Sequence, residues 1–290
     1  MIGGDASESG VGENAIMIDS ALADRLRACQ KLVVFTGAGV SAESGIPTFR
    51  DAQTGLWAKF NPQEVASTEA FRSNPQLVWD WYVHRADFVS KAEPNAGHHA
   101  ISRLQSLVPE VTVITQNIDG LHQKAGSQAV LELHGSLFRL KAFVDPDEMF
   151  AGDKCPVICH VCDGYAVHEH CDPFATREDL DAIGLRPGPV PHCPGCGALL
   201  RPDIVWFGEP LDIHILEGAM RAADECDVLI CIGSSLEVQP AASIPYRAKW
   251  GKAAVIEINP EPTGFSFEAD AFLQGQAAEL LPRLLERAWG

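Results

Sequence analysis

The sequence predicts an α/β fold, a largely parallel sheet interrupted by a small inserted module, and three observations carry that prediction. Short β-branched runs at Lys31–Thr36, Val111–Thr115, Val130–Leu133, Val228–Ile232 and Val255–Ile258 alternate with helical stretches at Ala21–Gln30, Gln76–Lys91, Ala96–Ser106 and Leu216–Ala223. Strands alternating with helices build a parallel sheet covered on both faces, which is Rossmann-like architecture. The first strand runs straight into a glycine turn, Gly37-Ala38-Gly39. From 141 to about 200 the alternation stops: Pro and Gly recur, no long apolar run remains, and six of the nine cysteines fall between Cys155 and Cys196.

These observations divide the chain. Residues 1–20, rich in Gly, Ser and acidic residues without hydrophobic periodicity, are expected to form a flexible arm. Residues 21–140 and 201–290 form the sheet domain, and 141–200 form the insert. With 290 residues, 46% of them hydrophobic, the chain can bury a substantial core. No apolar run approaches the ~20 residues that cross a bilayer, and Met1–Ser20 has no basic start with an apolar centre, so a soluble, cytoplasmic protein is expected. A formal charge of −17 repels phosphate backbones and anionic lipid, so neither nucleic acid nor membrane is expected as a partner.

Cysteine spacing gives the insert a reason to fold. It lacks the material for its own core, and in a cytosolic chain such modules are held by metal more often than by disulfides. Cys159-His160-Val161-Cys162 and Cys193-Pro194-Gly195-Cys196 are two C-x-x-C knuckles with 30 residues between them, a set suited to one tetrahedral zinc. Four protein ligands leave no position open for water, so the zinc is expected to be structural. Cys155, Cys171, His160, His168 and His170 compete for ligand roles. Cys29, Cys226 and Cys231 lie in apolar surroundings and are read as inert buried thiols.

By spacing alone Gly37, Gly39 and Ala42 satisfy a loose dinucleotide fingerprint, which an ordinary strand-to-helix turn would also satisfy. The dehydrogenase form of that fingerprint needs a second strand ending in an acid about 20 residues on. Asp51–Gln63 offers no such strand.

The longer string GAGVSAESGIPTFRD, Gly37 to Asp51, resembles the signature of the sirtuins, NAD-dependent protein deacylases. Further blocks follow in family order. Thr115 to His122 (TQNIDGLH) and Glu132 to Gly135 (ELHG) resemble the second motif and the catalytic-histidine motif; Pro202 to Glu209 (PDIVWFGE) resembles the substrate-binding strand; Gly233-Ser234-Ser235 and Ile258 to Glu261 (INPE) resemble the cofactor motifs near the C-terminus. Ser234 stands where the family commonly has Thr, and either hydroxyl can donate to a phosphate or ribose. The zinc pattern departs further. Sirtuins commonly place the first cysteine pair nine residues after the catalytic histidine, where this chain has Phe143 and Pro146, so the first knuckle lies downstream of an insertion.

The resemblance implies that NAD is a co-substrate, consumed to give nicotinamide and O-acyl-ADP-ribose, with acylated lysine side chains of proteins as the other substrate. His134 is implied as the base acting on the ribose hydroxyl, a role suited to a neutral imidazole. Asn117 and Asp119 are implied to orient the ribose and the nicotinamide side. Cofactor contacts are implied for Gly37, Ala38, Gly39, Ser41, Phe49, Arg50, Asp51, Gln116, Asn117, Asp119, Gly233, Ser234, Ser235, Asn259 and Glu261, and substrate contacts for Val205, Trp206 and Phe207. His98, His99 and His122 are assigned to structure. Tyr82 and Arg85, three apart on one helical face, suit a lysine carrying a malonyl, succinyl or glutaryl group, because Arg forks onto a carboxylate and Tyr donates one further bond. The pair resembles that of sirtuins that remove acidic acyl groups, and Ala52 matches the small residue that widens their acyl pocket. Two rival readings stay open: mono-ADP-ribosyl transfer from the same NAD site, and a non-catalytic NAD-sensing, zinc-containing interaction protein.

Overall fold

The computed structural model describes residues 18–47, 65–143, 168–170, 185–193 and 197–290. Its main layer is a six-stranded parallel sheet of β1 (Lys31–Thr36), β2 (Glu110–Thr115), β3 (Val130–Glu132), β7 (Val228–Ile232), β8 (Ala254–Asn259) and β9 (Ala271–Gln274). The strand order is β3-β2-β1-β7-β8-β9, so the chain builds outward from β1 in one direction, then crosses back beside β1 to build in the other. Register is fixed by apolar matches such as Val34↔Val113 and Val34↔Ile230. β1, β7 and β8 are almost wholly buried, as continuous apolar strands covered on both faces must be.

Alternate side chains of these strands face two separate cores. On one face Leu32, Val34, Val113 and Ile230 pack against α1 (Ser20–Ala28), α4 (Ala96–Leu104) and α8 (Ala277–Trp289). On the other, Val33, Phe35, Leu229 and Val255 pack against α6 (Ile213–Glu225) and α7 (Ile244–Trp250). The helices start where side chains satisfy orphan N–H groups: Asp19 accepts from Leu22 N at 2.7 Å, and Asp212 accepts from His214 N and Ile215 N at 2.8 and 3.1 Å.

A second lobe has its own core. The antiparallel sheet β5-β4-β6 combines β4 (Gly135–Ala142), β5 (His168–His170) and β6 (Leu200–Ile204). It packs with α3 (Pro75–Val89), preceded by the short α2 (Thr68–Ser73), around Phe71, Trp79, Tyr82, Leu137, Leu185, Cys193 and Trp206. The described part of the insert therefore borrows apolar partners from α3.

The structure differs from the sequence reading in three places. Ile18 is buried in the first core and Asp19 caps α1, so residues 18–20, expected in the arm, belong to the fold. The parallel sheet ends at Glu132 and the small sheet begins at Gly135, so the boundary expected at 140 falls inside β4. The glycine turn after β1, read in the sequence as a strand-to-helix turn, is itself part of a 3₁₀ segment, Ala38–Ser44. Cys29, Cys226 and Cys231 are buried, and burial pushes their thiols up, to about 11 for Cys29, to about 12 for Cys226 and well above the usual thiol range for Cys231. Such thiols are poor nucleophiles.

Candidate active site

Strand order reverses between β1 and β7, and the loops leaving the C-terminal ends of the strands on either side open onto one crevice. Gly37 N donates to Ile232 O at 2.9 Å and Gly39 N to Gly233 O at 2.9 Å, stitching the glycine turn of β1 to that of β7. The approach tolerates no side chain at Gly233: its φ is +60°, and a Cβ there would lie 2.5 Å from Val40 N. Ala38 and Ser41 lie on the 3₁₀ segment that follows, while Ser234 and Ser235 follow Gly233.

The loop after β2 supplies most of the polar side chains. Gln116 Nε2 donates to Ser234 Oγ at 2.8 Å. Asn117 Nδ2 donates to Gly37 O at 3.2 Å and to Ser41 Oγ at 3.1 Å. Ser41 in turn donates to Asp119 Oδ2 at 2.7 Å, and Leu121 N donates to Asp119 Oδ1 at 3.0 Å. Burial raises the Asp119 pKa, and these two donors partly offset it. At the end of β8, Asn259 Nδ2 donates to Ser234 O at 2.8 Å, and Glu261 is exposed beyond it.

His134 lies between the two sheets, immediately before β4. Its Nδ1 bonds Gln116 O at 2.9 Å, and burial holds the imidazole below its usual value, so it is neutral at pH 7 with Nδ1 carrying the proton to the carbonyl and Nε2 unprotonated. Gly135 makes the sharp turn behind it: φ is +78°, and a Cβ would stand 2.0 Å from Asp203 O. Val205 N donates to His134 O at 3.0 Å, which ties the segment Val205–Phe207, just past the end of β6, to the histidine. Phe207 is exposed and Val205 half-buried, whereas Trp206 is buried in the second core and sits under the guanidinium of Arg201 at 3.8 Å.

Tyr82 and Arg85 lie on α3 in the neighbouring wall. Trp206 Nε1 donates to the Tyr82 hydroxyl at 2.9 Å, which leaves the hydroxyl its own proton to donate, and burial pushes the phenol up to about 12. The Arg85 guanidinium sits 5.2 Å from the centre of the Trp81 ring, and its charge acts on both Tyr82 and Asp119. Arg85 on α3 is thus near enough to the β2 loop for its charge to act on Asp119, while Tyr82 is buried in the second core. Phe49, Arg50, Asp51 and Ala52, and the cysteines Cys159, Cys162 and Cys196 with their competitors Cys155, Cys171 and His160, lie outside the described residues. Cys193 is buried in the second core; Gly197 N donates to Cys193 O at 2.8 Å and Cys193 N to Ala198 O at 2.7 Å.

Sequence reasoning did not single out the ion network behind His134. Arg139 pairs with Glu132 at 2.5 Å and with Asp203 at 3.1 Å, and Lys141 reaches Asp203 at 3.3 Å. These charges bridge β3 of the large sheet to β4 and β6 of the small one. Glu132 belongs to the ELHG block, but its ionic partner Arg139 comes from β4, a strand the sequence did not reveal.

Fold and cleft together define a doubly wound α/β protein with polar loops gathered at the switch point, the architecture that holds dinucleotides, and with a neutral imidazole facing the second lobe. The chain belongs to the Sir2 family, whose model matches residues 37–240. It is similar to NAD-dependent protein deacylase 2 of Pyrobaculum aerophilum, 44% identical over 265 residues covering 91% of this chain and 94% of that one. A solved Sir2 homologue in complex with NAD superimposes with a TM-score of 0.77 at 38% identity, covering 96% of each chain. A mutant Sir2 homologue bound to 2′-O-acetyl ADP ribose gives 0.74 at 39% identity, covering 93% of this chain and 96% of that one.

Proposed function

We propose that this protein is an NAD-dependent protein-lysine deacylase that favours acyl groups ending in a carboxylate. The observation that carries the reading is His134, a neutral imidazole held through Nδ1 by Gln116 O, beside Asn117, Asp119 and Ser41. The crevice suits NAD: the glycine turns of β1 and β7 pack backbone to backbone at the switch point, and Ser234, Asn259 and Gln116 offer hydroxyl and amide groups there. When bound, NAD supplies a ribose carbon whose nicotinamide can leave, so that the acyl group passes to ADP-ribose. Asn117 and Asp119 orient the ribose side, Nε2 of His134 takes the ribose hydroxyl proton, and Val205–Phe207 hold the acyl-lysine segment. Phe49, Arg50, Asp51, Ala38, Ser235 and Glu261 are assigned to the cofactor as well. Tyr82 and Arg85 recognise the acyl carboxylate, with Ala52 leaving room for it.

Zinc belongs to the same reading. Cys159, Cys162, Cys193 and Cys196 hold one structural ion, a reading supported by the two C-x-x-C pairs, whose four thiolates suit tetrahedral zinc.

The test is turnover of succinyl-, malonyl- and acetyl-lysine peptides with NAD, with products weighed by mass spectrometry. Free O-acyl-ADP-ribose and deacylated peptide are expected, and His134→Ala should lose deacylation by at least about a hundredfold while still binding NAD. ADP-ribose attached to protein with no acyl-ADP-ribose would instead establish mono-ADP-ribosyl transfer. NAD binding without any turnover would leave a sensor.

A further inference from the structure

A histidine outside the cofactor loops sits at the root of the β2 loop. His122, on the short α5 (Leu121–Lys124), is 1% exposed and packs its ring against His98 with centroids 5.0 Å apart. Burial, then the neighbouring His98, pushes its pKa down to about 3, so the ring is neutral throughout the working range. Its Nε2 lies 2.9 Å from Thr36 Oγ1, Thr36 Oγ1 lies 2.8 Å from Thr115 Oγ1, and Thr115 Oγ1 accepts from Asn117 N at 3.0 Å. Both threonines are buried, and they end β1 and β2. The other ring nitrogen, Nδ1, is buried with no hydrogen-bond partner among the described residues.

A buried imidazole with one nitrogen unsatisfied is an unfavourable way to fill space, since a leucine of similar volume would leave nothing unpaired. The chain of bonds explains what the polar ring does there. Asn117 N–H shares a peptide unit with the Gln116 carbonyl, in the turn that presents Gln116 O to His134, Gln116 Nε2 to Ser234, and the Asn117 amide to Gly37 and Ser41. Gln116 N is itself tied to Thr36 O at 3.0 Å, so Thr36 holds the turn through both its backbone and its hydroxyl.

We propose that His122 is a positioning residue for the catalytic turn: through the hydroxyls of Thr36 and Thr115, its Nε2 fixes the Asn117 backbone N–H, and with it the Gln116 carbonyl that orients His134. This rests on the deacylase reading and goes beyond it. His122 touches neither substrate nor cofactor. Hydroxyl chains of this kind are coupled, so removing any one link should release the whole.

The experiment compares His122→Leu, which keeps volume and loses the bond, with His122→Gln, whose amide can give or accept at the Nε2 position. Melting curves and NAD titrations accompany turnover of an acyl-lysine peptide. For His122→Leu a kcat at least tenfold lower is expected, with KM for NAD and peptide changed less than threefold. His122→Gln should recover kcat to within about threefold of wild type. Thr115→Val should resemble His122→Leu, and the two together should be no worse than either alone. If His122→Leu does not fold, Thr115→Val against Thr115→Ser makes the same comparison at the next link. Equal losses in the Leu and Gln variants, undiminished kcat in the Leu variant, or additive losses at His122 and Thr115 would each overturn the proposal. An inactive wild type in the same assay would strike the deacylase reading instead.

Discussion

Arg85 is the residue on which the proposed preference for acidic acyl groups turns. It stands in a partly desolvated wall, where burial lowers its pKa without discharging it and where it acts on both Tyr82 and Asp119. A carboxylate at the end of an acyl chain would be recognised equally before and during the reaction, so its loss should raise KM more than it lowers kcat. Arg85→Met is therefore expected to weaken use of a succinyl-lysine peptide by about 2–5 kcal/mol in kcat/KM, and to leave acetyl-lysine nearly unchanged. Equal losses for the two peptides would show that Arg85 supports the helix or the cleft and would remove the acidic-acyl preference. The buried Tyr82 hydroxyl oxygen accepts from Trp206 Nε1, so Trp206, expected to touch substrate, also holds the proposed partner of Arg85 in place.

At the scale of elements, the cofactor crevice is made by two strand ends that can meet only without side chains. Gly233 is strained for any other residue by its φ of +60°, and its hypothetical Cβ would strike Val40 N and the backbone of Gly39. Gly233→Ala should destabilise the protein by more than about 1–3 kcal/mol, the usual range for a side chain in such backbone, and should abolish the thermal shift produced by NAD. Gly264 is the control, because a Cβ there meets nothing within 4 Å. Gly264→Ala is expected to melt within a degree or two of wild type and to retain the NAD shift. A Gly233→Ala protein with wild-type melting and NAD response would refute this account of the junction.

For the whole molecule, the question is how two lobes of unequal material keep the cleft between them. The parallel sheet has a core on each face, whereas the small lobe shares its apolar residues with α3 and is joined to the sheet by the Glu132–Arg139–Asp203 charges. Metal binding would supply the remainder of the small lobe's stability. About one zinc per chain is expected on metal analysis, and Cys193→Ser with Cys196→Ser should lose the zinc together with the small lobe's structure. Purified wild type without zinc, or a double variant that keeps it, would contradict the two-knuckle assignment. Among the described residues no helix is long and apolar enough to cross a membrane.

Much of the sheet was legible in the sequence because buried parallel strands are continuous β-branched runs: Lys31–Thr36 and Val228–Ile232 have the limits expected of them, and the glycine turn lies where β1 ends. The family and its ordered blocks were legible for the same local reason, since each motif is one strand end with its loop. Other elements were hidden. β4 and β6 alternate imperfectly and carry the charges Arg139, Lys141 and Arg201, which become intelligible only once Glu132, Asp203 and Glu209 face them. α8, whose stripe Leu280, Leu281, Leu284, Leu285 and Ala288 has the helical period around Pro282, was not among the helices read from the sequence. The sequence by itself determined the layer architecture and the chemistry available at each strand end. Only the tertiary structure decided that Trp206 serves Tyr82 from below, that Gln116 O orients His134, and that His122 is bonded toward the catalytic turn, because each is a contact between residues far apart in the chain, and local pattern carries no information about which distant group a buried polar atom will meet.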